Sequence, residues 1–401
     1  MIFGLCFGLG KTVFGSVDAG FFTLIICQML FCAACFAYCL QSMKKLGLSK
    51  SLLMLSLFVW SVFTIVSRYT TSLNKDCWFS CAVLLCLSFV SELVYEVRPM
   101  SKGNCFLLFL ISLLVGLLRS NGPHVIILWA VFIGITWLVK KDARSKKIFT
   151  AMLGAFVLCM CYLNILIPAL GIKNPSVAES LSIPFMQTAR YVKYYPEDVS
   201  PDEAAIIDAV LDYNSLAERY DPRLADEVKG TYHGSTEDLL RYFKVWAKQG
   251  LRHPGVYISA TLDNIVGFFY PGAAERANGV YINYGGDHQL TQMSGERSIA
   301  RDYRLRNMPA LILTFESFPP VYFFSNIAVN MWLIIFLFLA ALLAKNNRLL
   351  TMTIPSIVGL LVCVASPTFT HSGFRYALPV VFANPFLLSL YLNERHKTAE
   401  N

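Results

Sequence analysis

Charged residues make up only 15% of this 401-residue chain, and the signatures of the familiar soluble enzymes are missing from it. There is no phosphate-binding glycine loop, no HExxH zinc motif, no GxSxG nucleophile elbow and no dinucleotide fingerprint. The six histidines, His124, His233, His253, His288, His371 and His396, are scattered without ligand spacing, which argues against zinc catalysis. No internal repeat or low-complexity tract stands out. Residues 169–320 lack cysteine altogether. A large water-facing domain without disulfides fits a bacterial surface better than a eukaryotic secretory lumen.

What the chain does have is apolar length. Hydrophobic residues reach 56% and the mean hydropathy is +0.53, too apolar for a soluble domain. They fall in blocks near the ~20 residues that cross a bilayer as a helix. Nine spans are expected, at about 20–41, 51–68, 77–97, 104–118, 124–139, 148–168, 321–344, 349–366 and 376–392. Helices are the expected form, because an open sheet would leave backbone groups unpaired in hydrocarbon. The fourth and fifth are short, as for segments that sit inside a bundle or thin the bilayer. The fold class expected is an all-α polytopic membrane protein, with a mainly helical outer domain. Its parts are a six-span bundle over 1–168, the outer domain over 169–320, and three spans with a short tail over 321–401.

Orientation follows from the short loops. Lys44, Lys45 and Lys50, then Arg98 and Lys102, then Lys140, Lys141, Arg144, Lys146 and Lys147 occupy alternate loops. Lys345 with Arg348, and Arg395 with Lys397, continue the set. These loops are expected inside a cell membrane, with the C-terminus; residues 1–19 and 169–320 are expected outside. The net charge of +8 is mostly this signal and argues weakly for nucleic acid, which is not an expected partner. Met1–Gly10 is apolar but lacks a basic n-region and a cleavage site, so it is a poor signal peptide and suits an interfacial helix or the remnant of a longer N-terminus.

The outer domain carries 15 Lys/Arg against 19 Asp/Glu, acidic where the rest is basic. Ser200-Pro201-Asp202-Glu203 reads as a capped start for a helix reaching about Arg219. Ser235-Thr236-Glu237-Asp238 starts another, with Leu239, Leu240, Phe243 and Trp246 as its apolar stripe. A third is expected over Pro254–Phe269, too polar to span and suited to a membrane interface. The tract 272–308 reads as a loop that could cover a site. All twelve cysteines lie in or beside apolar segments. Cys32 and Cys35 form a CxxC, but inside an apolar helix, where cysteine packs as a small hydrophobe.

Some cations break the positive-inside pattern. Arg68, Lys75, Arg119 and Arg375 stand at outer helix ends or in neighbouring loops. Together they could bind an anionic lipid headgroup, Arg by forked hydrogen bonds and Lys as a point charge. Each could instead snorkel or pair with a nearby acid, as Lys75 with Asp76.

Three motifs carry a resemblance: Asn74-Lys75-Asp76 at a span entry, Leu117-Leu118-Arg119-Ser120-Asn121-Gly122 at an exit, and Ser366-Pro367 followed by Phe374-Arg375-Tyr376-Ala377-Leu378-Pro379. Ser182–Gln187, Arg219-Tyr220-Asp221-Pro222 and His253-Pro254-Gly255-Val256-Tyr257 add to it. From about residue 15 to 392 the chain resembles uncharacterised multispan proteins of Gram-positive bacteria, themselves similar to the GT-C membrane glycosyltransferases. The resemblance implies transfer of a sugar from a polyprenyl-phosphate carrier to a cell-envelope glycan or protein. It implies Asp76 and Asp18 as candidate acids, and Lys75, Arg119, Asn121, Arg375 and Tyr376 as candidate contacts to the lipid phosphate. A divalent metal ion is the cofactor such a site could take. The principal acid of GT-C enzymes sits in the first outer loop; here Asp18 is the sole carboxylate before the first span, so either the chain is truncated at its N-terminus or that acid is missing. The alternative is a non-catalytic relative or a transporter of lipid-linked glycans, with Gln28, Glu92, Asn326 and Asn330 as its mid-span polar groups. A third reading is a receptor-like protein that binds a partner through Trp246.

Overall fold

The structure, a computed structural model, describes residues 2–62, 64–72, 74–172, 177–273, 318–365 and 374–400. Among these residues the chain is helical, with no strand beyond one isolated bridge between Asp221 and Leu224. It divides into two units, each treated by itself. Within the described residues the first holds 2–164, 318–359 and 377–400; the second holds 165–172, 177–273, 360–365 and 374–376.

The first unit opens with α1 (Ile2–Phe14) and α2 (Val17–Lys45), which meet where Gly10 and Gly20 let the two backbones touch: a Cβ on Gly10 would stand 2.3 Å from the Gly20 nitrogen. Then follow α3 (Lys50–Val62), α4 (Thr64–Thr70), α5 (Lys75–Val94), α6 (Lys102–Leu118), α7 (Gly122–Lys140) and α8 (Ala143–Cys161). A π-helical turn, Tyr162–Leu166, carries α8 into α9 (Ile167–Ala169).

The centre of this unit is α5. Within its apolar window 83% of residues are buried, against 28% for α2 and 17% for the helix Ala143–Ala169, so α5 is the helix that the others wrap. Small side chains set its fit to α2. Cys32, Cys35, Cys39 and Ser42 recur every three or four residues on α2, and Cys77, Cys81 and Ser88 face them from α5, all buried. In a membrane, where lipid competes equally for apolar surface, such small residues let helices approach closely enough for packing to hold them.

The turns bearing the Lys and Arg gather at one end. Four helix ends there turn through left-handed residues: Gly47 (φ +76°), Glu96 (+66°), Lys141 (+51°) and Lys345 (+51°). Arg144 donates to the carbonyl oxygens of Leu93 and Arg98, and Arg348 pairs with Glu96 at 3.1 Å.

The later helices are α16 (Pro319–Ser325), α17 (Ile327–Leu343), α18 (Asn347–Ala365) and α19 (Phe374–Glu400), the last with Pro379 and Pro385 inside it. The α16–α17 pair is bent by 62° at Asn326. Its side chain caps Val329 (3.3 Å), and Asn330 Nδ2 donates back to the carbonyls of Phe324 and Asn326. Asn384 of α19 then donates to Asn330 (2.9 Å). These asparagines repair the break that they sit on. Helix α3 is tied to α19: Trp60 Nε1 donates to the Phe382 carbonyl (3.1 Å), and Ser56 Oγ reaches Ser389 Oγ (3.0 Å).

The expected nine spans are only partly matched. Among the described residues six helices are long and apolar enough to cross a membrane, or seven with the bent pair taken as one, which makes this a multi-pass membrane protein. The segment 51–68 is two helices, Lys50–Val62 and Thr64–Thr70, and 104–118 is the 17-residue α6. At 1.5 Å per residue the 13 residues of α3 rise about 20 Å, short of the roughly 30 Å hydrocarbon core. Of the apolar Met1–Gly10 stretch, residues 2–10 fall within α1, which packs on α2, and Met1 lies outside the described residues.

The second unit holds α10 (Ser182–Tyr194), α11 (Pro201–Asp208), α12 (Tyr213–Arg219), α13 (Asp226–Lys229), α14 (Thr236–Arg252) and α15 (Pro254–Phe269). Phe185, Met186, Ala189, Ile207, Leu216 and Tyr242 form its core. Ser200 caps its helix as expected, yet the helix stops at Asp208 and resumes as α12. The Ser235 capping box is present. The stripe of α14 is rotated from expectation: Leu239, Tyr242 and Val245 are buried and Leu240 is 64% exposed. Trp246 is half-buried and donates to Gln187 Oε1 (2.9 Å), so it holds α14 to α10. Beyond 273 the expected loop lies outside the described residues.

Candidate functional site

Helices α5 and α6 are neighbours joined through the basic end, so they run antiparallel and the start of α5 comes beside the finish of α6. Two of the motif segments meet there. Asn74 caps α5, its Oδ1 accepting from the Asp76 amide at 2.7 Å, which leaves the Asp76 carboxylate in the first turn. Arg119 is the C-cap of α6 in extended conformation (φ −151°, ψ 149°). A carboxylate at a helix N-terminus and a cation at a C-terminus are each favoured by the helix dipole. Here the two charges also meet each other, with Arg119 Nη1 2.8 Å from Asp76 Oδ1 and side chains only 7% and 2% exposed. The guanidinium lies 5.9 Å from the centre of the Phe79 ring, one turn along α5.

Two further features fix this geometry. Gln28 of α2, fully buried, donates through Nε2 to the carbonyls of Tyr69 (3.0 Å), Thr70 (2.8 Å) and Ser72 (2.8 Å), which pins the segment leading into α5. On the other side the chain reverses over Ser120 and Asn121 so tightly that a Cβ on Gly122 would sit 2.2 Å from the Val115 carbonyl oxygen. Asn121 precedes α7; its Oδ1 is buried and finds no hydrogen-bond donor among the described residues.

The remaining predicted residues are dispersed. Lys75 is exposed, and Asp76 forms its ion pair with Arg119 rather than with this neighbour. Asp18 sits in the first turn of α2, capped by Ser16, 14 residues before Cys32 and hence about 21 Å along the helix from the level of Cys77. The two candidate acids are therefore not brought together. Arg375 and Tyr376, half-buried, belong to the second unit; the guanidinium lies 5.2 Å from the neighbouring ring. The Arg68 side chain and Ser366-Pro367 lie outside the described residues.

The model of a family of unknown function (DUF6020) matches residues 1–401. The chain belongs to that family. No curated protein and no solved structure matches it. The likeness to GT-C enzymes thus stands on the sequence motifs alone.

Sequence reasoning read Gln28 as a mid-span polar group, and its role as a clasp needed the fold. Three thiols were missed as a set: Cys32 on α2 and Cys77 and Cys81 on α5 converge beside the ion pair, their sulfurs all within 4.8 Å of one another. The repeat of small residues at every third or fourth position in both helices was the available signal. Among the described residues no group of three His, Cys, Asp or Glu donors includes Asp76, so a divalent ion at that carboxylate has no protein donor set there.

Proposed function

We propose that this chain is a GT-C-like glycosyltransferase of the cell membrane, moving a sugar from a polyprenyl-phosphate carrier to a cell-envelope acceptor, with Asp76 and Arg119 at its centre. The observation that carries the reading is the buried Asp76–Arg119 pair, 2.8 Å apart, at the end of α5 remote from the Lys- and Arg-rich turns. By the charge rule that end, and residues 169–320, face away from the cytoplasm, and the C-terminus faces it. All nine apolar helical segments are taken as membrane-embedded, the short ones as part of the bundle.

In the reaction an acceptor hydroxyl attacks the anomeric carbon, the bond from that carbon to the phosphate oxygen breaks, and the hydroxyl proton passes to Asp76. Arg119, 2.8 Å away, holds the Asp76 carboxylate in position. The carrier phosphate, left with an added negative charge, is neutralised by exposed Lys75. Gln28, Glu92, Asn326 and Asn330 are each engaged in protein hydrogen bonds, which favours this reading over transport along a polar path.

The test is transfer from radiolabelled polyprenyl-phosphate sugars by the purified chain, with cell-envelope fractions as acceptor. Asp76→Asn should slow transfer by about 10²–10⁴-fold, the usual contribution of a general base. Equal rates for Asp76→Asn and wild type would remove Asp76 from the mechanism.

A further inference from the structure

One turn along from the Asp76–Arg119 pair, three thiols meet between α2 and α5. Cys32 Sγ and Cys77 Sγ are 3.4 Å apart, and Cys81 Sγ completes a triangle with every edge within 4.8 Å. Their exposures are 1%, 0% and 0%, so the sulfurs face one another and not lipid or water. The spacing has a simple origin. Cys77 and Cys81 are four residues apart and share one face of α5, and Cys32 lies on the small-residue face of α2 that packs against it. Phe31 and Trp78, the chain neighbours of Cys32 and Cys77, stack with ring centres 4.9 Å apart and hold the two helices in this register.

From this arrangement we propose that Cys32, Cys77 and Cys81 form a binding site for a soft monovalent d¹⁰ cation, Cu(I). A first-row d¹⁰ ion holds a thiolate sulfur at about 2.3 Å, so three sulfurs around it in a plane stand about 4 Å apart. The observed triangle brackets that figure without any helix movement. Thiolate donors suit soft ions, Cu(I) and zinc among them, but structural zinc takes four ligands and this set offers three. The surroundings argue the same way. Thiolates buried among apolar helices are costly alone, and a bound cation offsets that cost. The inference does not depend on the glycosyltransferase reading.

The experiment uses the full chain, purified in detergent, reduced and kept anaerobic, titrated against Cu(I) held by a coloured chelator. One equivalent should move from chelator to protein. Cys32→Ser, Cys77→Ser and Cys81→Ser should each weaken retention by at least about tenfold, a loss that even an outer-shell partner can cause. Cys159→Ser and Cys363→Ser, both buried elsewhere, should retain it. X-ray absorption of the loaded protein should show three sulfurs at about 2.3 Å. A Cys32/Cys77/Cys81 triple alanine variant, checked by its melting curve without metal, separates loss of ligands from loss of fold. The proposal is overturned if the chelator keeps the copper, if the triple variant melts like wild type and still takes one equivalent, or if the Cys159 and Cys363 variants lose it equally.

Discussion

Helix α5 carries a buried carboxylate near each end, and the two are treated differently. Glu92, fully buried, receives Ser42 Oγ at 2.5 Å, Lys45 Nζ at 3.2 Å and Arg98 Nε at 2.7 Å. Arg98 in turn donates to Tyr38 (3.1 Å) and Asn104 (3.2 Å) and lies 4.6 Å from the centre of the Phe89 ring. The carboxylate there is answered by donors from α2 and from the turn that follows α5, as in a knot whose job is to hold helices. Asp76, equally buried, pairs with the guanidinium of Arg119 at a helix junction, beside an exposed lysine and an asparagine oxygen with no donor among the described residues. A carboxylate saturated by its own protein has no chemistry left to offer. One held by a displaceable ion pair can exchange its partner. The comparison separates a fastening from a candidate site.

The largest effect should come from cutting the fastening. Glu92→Ala strands Lys45 and Arg98, and removing one partner of a buried ion pair costs about 3–5 kcal/mol. Partial exposure of Lys45 (36%) and Arg98 (20%) puts the loss toward the lower figure, measured by denaturant unfolding in detergent. Asp76→Asn takes the counter-charge from buried Arg119 but leaves it an amide oxygen to donate to, so it should cost about 1.5–3 kcal/mol while slowing transfer. A double-mutant cycle with Arg119→Gln should give a coupling of about 0.5–3 kcal/mol. If Asp76→Asn unfolds the protein as readily as Glu92→Ala, the two ends are alike and the contrast fails. Gly122→Ala drives a methyl into the Val115 carbonyl and should cost about 1–3 kcal/mol, with transfer impaired because the Arg119 turn must shift.

The smallest effect supplies a calibration away from the bilayer. In the second unit Glu203 is buried, which pushes its carboxyl up, but Lys248, Gln249 and Arg252 outweigh this and hold it below the usual value of 4.5. A depressed carboxylate stabilises the fold above its unfolded pKa, and that contribution is lost as pH falls through the lower folded value. Acid unfolding of Glu203→Gln should therefore be less steep than wild type just below about pH 4.5.

Much of this architecture was legible in the residues, and the exceptions are instructive. Helix positions followed from apolar length, and the Ser200 and Ser235 starts from capping chemistry, because both are local. Span number was less secure: an apolar run reports an apolar environment and not a crossing, and the 13 residues of α3, buried only at Ser56, Val59 and Trp60, lack the length to cross. The α14 stripe slipped by one position because Tyr242 was not counted as core. At the site, Arg119 and Asp76 were each visible as charges out of place. That they face one another depends on α5 and α6 being adjacent, which no local signal states. The thiol triangle was hidden for the same reason, its members lying 45 residues apart on two helices.

The bonds from Trp60 and Ser56 to α19 join residues separated by 322 and 333 positions. At about 5–20 residues per second a ribosome needs on the order of 16–65 seconds to travel that distance. Throughout that interval the indole N–H of Trp60 and the hydroxyl of Ser56 are without the α19 partners that they have in the folded chain. Assembly of the first unit is thus timed from its far end, and a cell that halts translation midway is left holding an early helix without its anchor.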